Sequence, residues 1–265
     1  MRIKHKIATV LIVSLIAISL KAQDESSHEI GLIYGSASFT TDYGERNNLK
    51  SNVAGNVGPG FGAVYYLNFT DYRYRWNQRT TYWAEHFRVR AELSYMSAKL
   101  DHFGQWADKQ SELGERLRAH HGKTYLLNVG AQLEFHWVDI VDFGSRRIPD
   151  LKWSPYISGG AFVDFYNPSI YSDLGDWRDP DILYPKWDPN LWPDAARVTP
   201  GITMSATLGI GTRRKLGYYS DLLIESRWQY FFSNYVDGLN ARQAPENKYN
   251  DWLLWIHVGY IYYLN

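Results

Sequence analysis

Several stretches of this chain alternate strictly between apolar and polar residues, and that period limits what the backbone can form. In FRVRAELSY, Phe87, Val89, Ala91, Leu93 and Tyr95 share one face, while Arg88, Arg90, Glu92 and Ser94 share the other. YLLNVGAQLEFHW sets Tyr125, Leu127, Val129, Ala131, Leu133, Phe135 and Trp137 against Asn128, Gly130, Gln132, Glu134 and His136. LLIESRWQYF sets Leu222, Ile224, Trp228, Tyr230 and Phe232 against Glu225, Arg227 and Gln229. Side chains of a strand point alternately to its two faces, so each run reads as a strand with one apolar side. Weaker versions cover Ile30–Phe39, Phe61–Phe69, Tyr156–Phe165, Ile202–Ile210 and Leu254–Leu264, which predicts eight strands.

Eight alternating strands could close into a water-soluble ligand-binding barrel or into a membrane barrel. Three features favour the membrane. The runs match the ~9–11 residues of a tilted bilayer crossing. Their apolar faces end in Tyr, Trp or Phe, as interfacial girdles require. Their opposite faces carry Arg, Glu, Asp, Gln and many Gly, which suits a small lumen, and the chain's 11 Phe, 11 Trp and 21 Tyr need an amphipathic place to sit. The start of the chain agrees: Arg2, Lys4 and Lys6 precede an apolar stretch from Ile7 to Leu20 and then Ala22, the layout of a secretory signal. The expected division is therefore a signal peptide over 1–22 and an outer-membrane β-barrel over 23–265. Taking Arg2, Lys4, Lys6 and Lys21 from 28 basic residues leaves 24 against 28 acidic ones, net −4, which does not favour nucleic acid. With no cysteine, the chain has no disulfide, thiolate nucleophile or thiolate metal site.

An eight-stranded barrel is only wide enough for side chains to fill its interior. The inward candidates Arg88, Arg90, Arg227, Glu92, Glu134, Asp164 and Glu225 are expected to form a paired network, because unpaired buried charge is costly. The result is a plugged cylinder rather than a diffusion pore. In the closing strand Tyr260, Tyr262 and Leu264 face lipid, with His257 and Gly259 inward. The order His257, Gly259, Tyr262, Leu264 is similar to the C-terminal assembly signal of bacterial outer-membrane barrels, which implicates lipids and the barrel assembly machinery as partners.

The connections Tyr43–Val57, Lys99–Gly122, Asn167–Thr199 and Tyr235–Asp251 are generally longer than Asp71–Trp83, Val138–Lys152 and Arg213–Tyr219, so the first set is expected outside the cell. WADKQSELGERLRAHHG reads as a short surface helix capped by Gly122. Tyr72, Arg73, Tyr74, Arg75 and Trp76, with Arg213, Arg214 and Lys215, would form a basic aromatic patch on the periplasmic rim. Such a patch serves either as an interfacial girdle or as a protein-docking surface.

Catalytic signals are weak. GNVGPGFG (Gly55–Gly62) precedes a strand, not the helix a phosphate loop requires. His120 and His121 would diverge on a helix, and Asp176, Asp179 and Asp181 lack the spacing of a calcium loop. Glu134 and His136 share a lumen face, with Asp164 near, which leaves a lipid-modifying enzyme as the alternative class. No cofactor is expected.

SHEIGLIYGSASFTTDYGERN, FGAVYYLNF, FRVRAELSYMSAKLDHFGQW and LLNVGAQLEF resemble an outer-membrane barrel group of the Bacteroidota, the THC-type family. The group is akin to PorG, the barrel component of the type IX secretion system. DYGERN (Asp42–Asn47) and HFGQW (His102–Trp106) are the most distinctive pieces. The resemblance implies a non-enzymatic barrel that scaffolds secretion or gliding machinery and docks a periplasmic lipoprotein ring. The competing class is an autonomous barrel, lipid-modifying or surface-binding.

Overall fold

A computed structural model describes residues 27–45, 48–69, 81–141, 143, 152–188, 190–242 and 249–264. The expected signal peptide lies outside them. Eight strands run in chain order: β1 Ser27–Thr40, β2 Val57–Asn68, β3 Phe87–Asp101, β4 His120–His136, β5 Trp153–Ser172, β6 Gly201–Lys215, β7 Ser220–Phe231 and β8 Trp252–Tyr263. Each pairs antiparallel with its sequence neighbours, and β8 returns to β1 through Ile30↔Tyr262, Gly35↔His257 and Thr40↔Trp252, closing the barrel. Closure leaves no open edge around the barrel wall, the condition for a sheet to cross hydrocarbon.

The barrel is inverted relative to a water-soluble one. Leu32, Leu93, Val129, Leu208, Ile210, Ile256 and Val258 point outward and exposed, while Arg88, Arg90, Glu92, Glu134, Glu225 and Arg227 are buried inside. A polar interior wrapped in an apolar wall is stable only where lipid covers the wall, so the protein is an outer-membrane β-barrel. Two rings of outward aromatics bound that wall. One includes Trp83, stacked on Phe87 at 3.9 Å, with Phe135 and Trp137 beside it. The other includes Phe61, Tyr95 and Tyr125, at 5.3 and 6.3 Å along the row.

Beyond the second ring the outward positions turn polar: Ser97, Lys99 and Asp101 on β3, and His121 and Lys123 on β4. The barrel therefore projects from the membrane at the end bearing the loops 41–56, 102–119, 173–200 and 232–251. The opposite end carries the tight turn 216–219 and the ends of β1 and β8, the periplasmic arrangement.

Several strands outrun their apolar pattern. β5 spans Trp153–Ser172 rather than Tyr156–Phe165, taking in Pro168. Beyond Tyr166, β5 pairs only with β4, and such an edge tolerates the missing N–H of proline. The helices are α1 Leu49–Gly55, α2 Tyr82–His86 and α3 Glu112–Ala119. Ser111 caps α3 by accepting from Gly114 N at 3.2 Å. α3 ends at Ala119 because His120 already has extended backbone and begins β4. Gly122, expected to cap α3, is instead a strand residue against which the Tyr43 ring packs; a Cβ there would sit 2.6 Å from the ring.

Candidate functional site

The lower lumen is a continuous ion-pair lattice. At its periplasmic end Glu29 accepts from Arg88 at 3.0 Å and from Arg213 at 2.6 Å. Arg213 lies 3.7 Å from Glu134, which pairs with Arg90 at 3.0 Å. Arg90 grips Glu225 with two bonds of 2.7 and 2.9 Å and also donates to Gln132. Arg227 holds Glu92 with two bonds of 2.9 Å and reaches Glu225 at 3.2 Å. Tyr156 adds a hydroxyl donor to Glu225 at 2.6 Å. Gly211 makes room for it, since a Cβ there would lie 2.6 Å from the Tyr156 ring. The forked guanidiniums suit this task, because they meet carboxylates in pairs and stay charged.

Six of the seven expected lumen charges join this lattice. Asp164 does not; it accepts from Gln229 at 2.9 Å, and Gln229 also donates to Ser205 at 2.8 Å. The lattice also takes in Glu29 and Asp221, which the alternating runs do not include, and Arg213, expected on the rim. Glu29 shares the inward phase of Gly31, Ile33 and Gly35, and Arg213 that of Gly209 and Gly211, so extending the alternation would have found both. Arg213 is thus removed from the rim patch: it is buried in the lumen, 4.0 Å from the Tyr66 ring centroid. Arg214 points outward over Trp153 at 5.3 Å, and Lys215 is tied to Tyr263 at 2.7 Å and Asp221 at 3.4 Å. The pleat sends consecutive basic residues to opposite sides, so they make no common patch. Tyr72, Arg73, Tyr74, Arg75 and Trp76 lie outside the described residues.

His136 sits between Ser154 Oγ at 2.9 Å and Glu134 at 3.1 Å, the order of a hydrolase relay. All three are fully buried, so the hydroxyl has no surface on which to meet an ester. Asp164, expected nearby, belongs to the separate Gln229 group. Asp176 and Asp179 accept from Arg178 N and Asp181 N, bracing turns of the β5–β6 loop. At the chain end, His257 and Gly259 face inward and Tyr262 and Leu264 outward, with Leu264 N donating to His28 O at 2.9 Å.

Above Trp255 the lumen changes character. Met96, Leu126, Phe39, Leu253 and Phe231 fill it, and Val236 and Leu239 from the β7–β8 loop descend onto them. Thr124 Oγ1 donates to Val236 O at 2.6 Å. The β5–β6 loop locks this plug from above, through Arg197 N to Gly238 O at 2.7 Å and Asn240 N to Ala195 O at 2.8 Å. Two carboxylates, Asp237 and Asp251, are enclosed at the seam beside the partly exposed Asp42. Asp237 accepts from Asp42 N at 3.0 Å, and Asp251 accepts from Val236 N at 3.0 Å. Burial, then the neighbouring Asp42, pushes Asp237 up to about 8; burial, then Asp237, pushes Asp251 upward as well.

Beside the seam a ring stack forms the floor of a cavity open to the outside. Tyr43 stacks on His102 at 4.6 Å, and Trp187 on His102 at 4.9 Å. His120 is 3.3 Å from His102, nitrogen to nitrogen. Burial lowers both histidines, His120 to about 3, so the stack is neutral. Among the described residues no group of three side chains is placed to hold a metal ion.

No protein-family model matches the chain, and no curated protein matches it. Solved structures similar to it include Neisserial surface protein A, at 12% identity and a TM-score of 0.42, covering 90% of this chain and 99% of that one. A major outer membrane protein from Thermus thermophilus is 10% identical with a TM-score of 0.47, covering 90% and 99%. The outer membrane protein OprG from Pseudomonas aeruginosa is 10% identical with a TM-score of 0.38, covering 90% and 97%.

Proposed function

We propose that this barrel is a non-enzymatic anchor, a scaffold component of a type IX secretion or gliding machinery that docks a periplasmic lipoprotein ring. The observation that carries the non-conducting, non-catalytic part is the filled lumen. Side chains from β1, β3, β4, β6 and β7 interlock across the axis, leaving work to the surfaces. The secretion role rests on the resemblance of Ser27–Asn47 and Phe87–Trp106 to the PorG-like group. Arg73, Arg75 and Trp76 supply the docking chemistry, because Arg, Tyr and Trp dominate interface hot spots and an acidic partner face would steer encounter.

The test is a mild-detergent pull-down from native membranes with mass spectrometry. Ring lipoproteins should co-purify with the wild type and be lost from the combined Arg73→Glu, Arg75→Glu, Trp76→Ala variant while the barrel still assembles. A folded variant that keeps both the lipoproteins and normal secretion removes the patch from the mechanism. A barrel that purifies alone, with altered membrane lipids, returns the lipid-modifying alternative.

A further inference from the structure

The outer wall changes character at one place near its extracellular rim. Lys99 and Lys123 are partners in the β3–β4 register, and both side chains point outward. Like charges set directly opposite on one face of a sheet repel. Among the described residues no carboxylate is paired with either lysine. The acids just beyond them, Asp101 and Asp173, clasp His121 at 2.6 and 3.2 Å instead. Lys123 Nζ lies 4.7 Å over the Tyr125 ring, which attracts the ammonium without neutralising it. The outward positions at the same end of β1 and β2, Ser36, Pro59 and Val57, carry no charge. The basic pair is therefore a feature of β3 and β4, not of the whole rim.

Depth and shape define the anion such a pair would meet. Lys123 stands two residues above Tyr125 on the same face, about 7 Å along the strand, and so just beyond the aromatic ring that bounds the apolar wall. That is headgroup depth, where the anions are lipid phosphates, and lysine ammoniums are compact point charges suited to phosphate. Directly below the pair the wall holds a groove of about 470 Å3 lined by Tyr125, Leu127, Phe165, Asn167 and Ile202. It lies where β5 stays paired with β4 as far as Ser172 but parts from β6 after Tyr166. Its rings and aliphatic side chains suit an acyl chain, with the Asn167 amide at the upper, polar end. We infer that this part of the wall binds one phosphorylated lipid of the outer leaflet, its phosphate between Lys99 and Lys123 and an acyl chain in the groove from Tyr125 to Ile202. A soluble anion would use the lysines alone and leave the groove unfilled.

This inference stands apart from periplasmic docking, since it uses the opposite end of the barrel. Full-length protein in mild detergent is titrated with lipid A in its phosphorylated and dephosphorylated forms and followed by native mass spectrometry. Inorganic phosphate serves as the competitor that reports a site for free anion. One phosphorylated lipid should be retained about twentyfold more tightly than its dephosphorylated form, and inorganic phosphate should not displace it. Lys99→Gln and Lys123→Gln should each weaken retention about fivefold, and the two together should erase the preference for phosphate. Lys50→Gln, an exposed lysine of α1 away from the groove, should change nothing. Ile202→Trp, which fills the groove from a position 67% exposed, should weaken both lipid forms alike. All these side chains lie on the outer surface, so the variants should retain heat-modifiable gel migration. Equal retention of the two lipid forms, a phosphate preference that survives the double lysine variant, displacement by inorganic phosphate, or indifference to Ile202→Trp would each overturn the assignment.

Discussion

The two halves of the lumen are built from the same strands yet held by opposite chemistry. In the periplasmic half, arginines and carboxylates on rigid strands satisfy one another across the axis, as Arg90 does with Glu225 and Arg227 with Glu92. In the extracellular half, loops fold back over an apolar core of Phe39, Leu126, Leu253, Val236 and Leu239, and the enclosed acids favour the protonated form. Strands bound into a closed sheet can hold charged forks at fixed spacing. Loops carry no such frame, so burial of apolar surface is what orders them.

The contrast predicts a descending series of effects. Arg90→Met should be the most damaging change, because it takes the two-bond guanidinium from Glu225 and the 3.0 Å arginine partner from Glu134, leaving each buried carboxylate only its weaker contacts. Removing one partner of a buried pair costs roughly 3–5 kcal/mol, read as a lowered urea midpoint for refolding into lipid vesicles. An unchanged midpoint would mean that water or neighbouring groups already satisfy those carboxylates.

Leu239→Ala should cost about 2–3 kcal/mol, but locally. The cap should become protease-sensitive while the barrel keeps its heat-modifiable migration. Global unfolding at the same denaturant as cap cleavage would show the two halves to be one cooperative unit.

The smallest effect should come from pH. The folded pKa of Asp237, about 8, lies above its ordinary 3.8, so between those values the folded cap binds protons that the unfolded chain has released. Stability from this group is therefore greatest at low pH and falls as pH rises toward 8. Cleavage within the β7–β8 loop should be slower at about pH 5 than at about pH 8, and Asp237→Asn should reduce the difference, leaving the part that buried Asp251 carries. His121, raised by Asp101 and Asp173 on the outer face, also loses its contribution as pH rises, so the variant decides the matter rather than wild type alone. A pH difference undiminished in Asp237→Asn would place the sensitivity elsewhere.

Alternation along the chain was enough to identify the eight strands, their lipid and lumen faces, and most of the charge lattice. A period of two is a local property, and covering one apolar face with lipid leaves no other choice for the opposite face. Arg88, Arg90, Glu92, Glu134, Glu225 and Arg227 were legible for that reason. Tertiary structure decided whatever depended on partners distant in the chain. Arg213 looked like a turn residue until Glu29, at the opposite end of the sequence, met it across the lumen at 2.6 Å. The Tyr43–His102–Trp187 floor draws one ring from each of three loops whose sequences share no period, so only their packing brings them together.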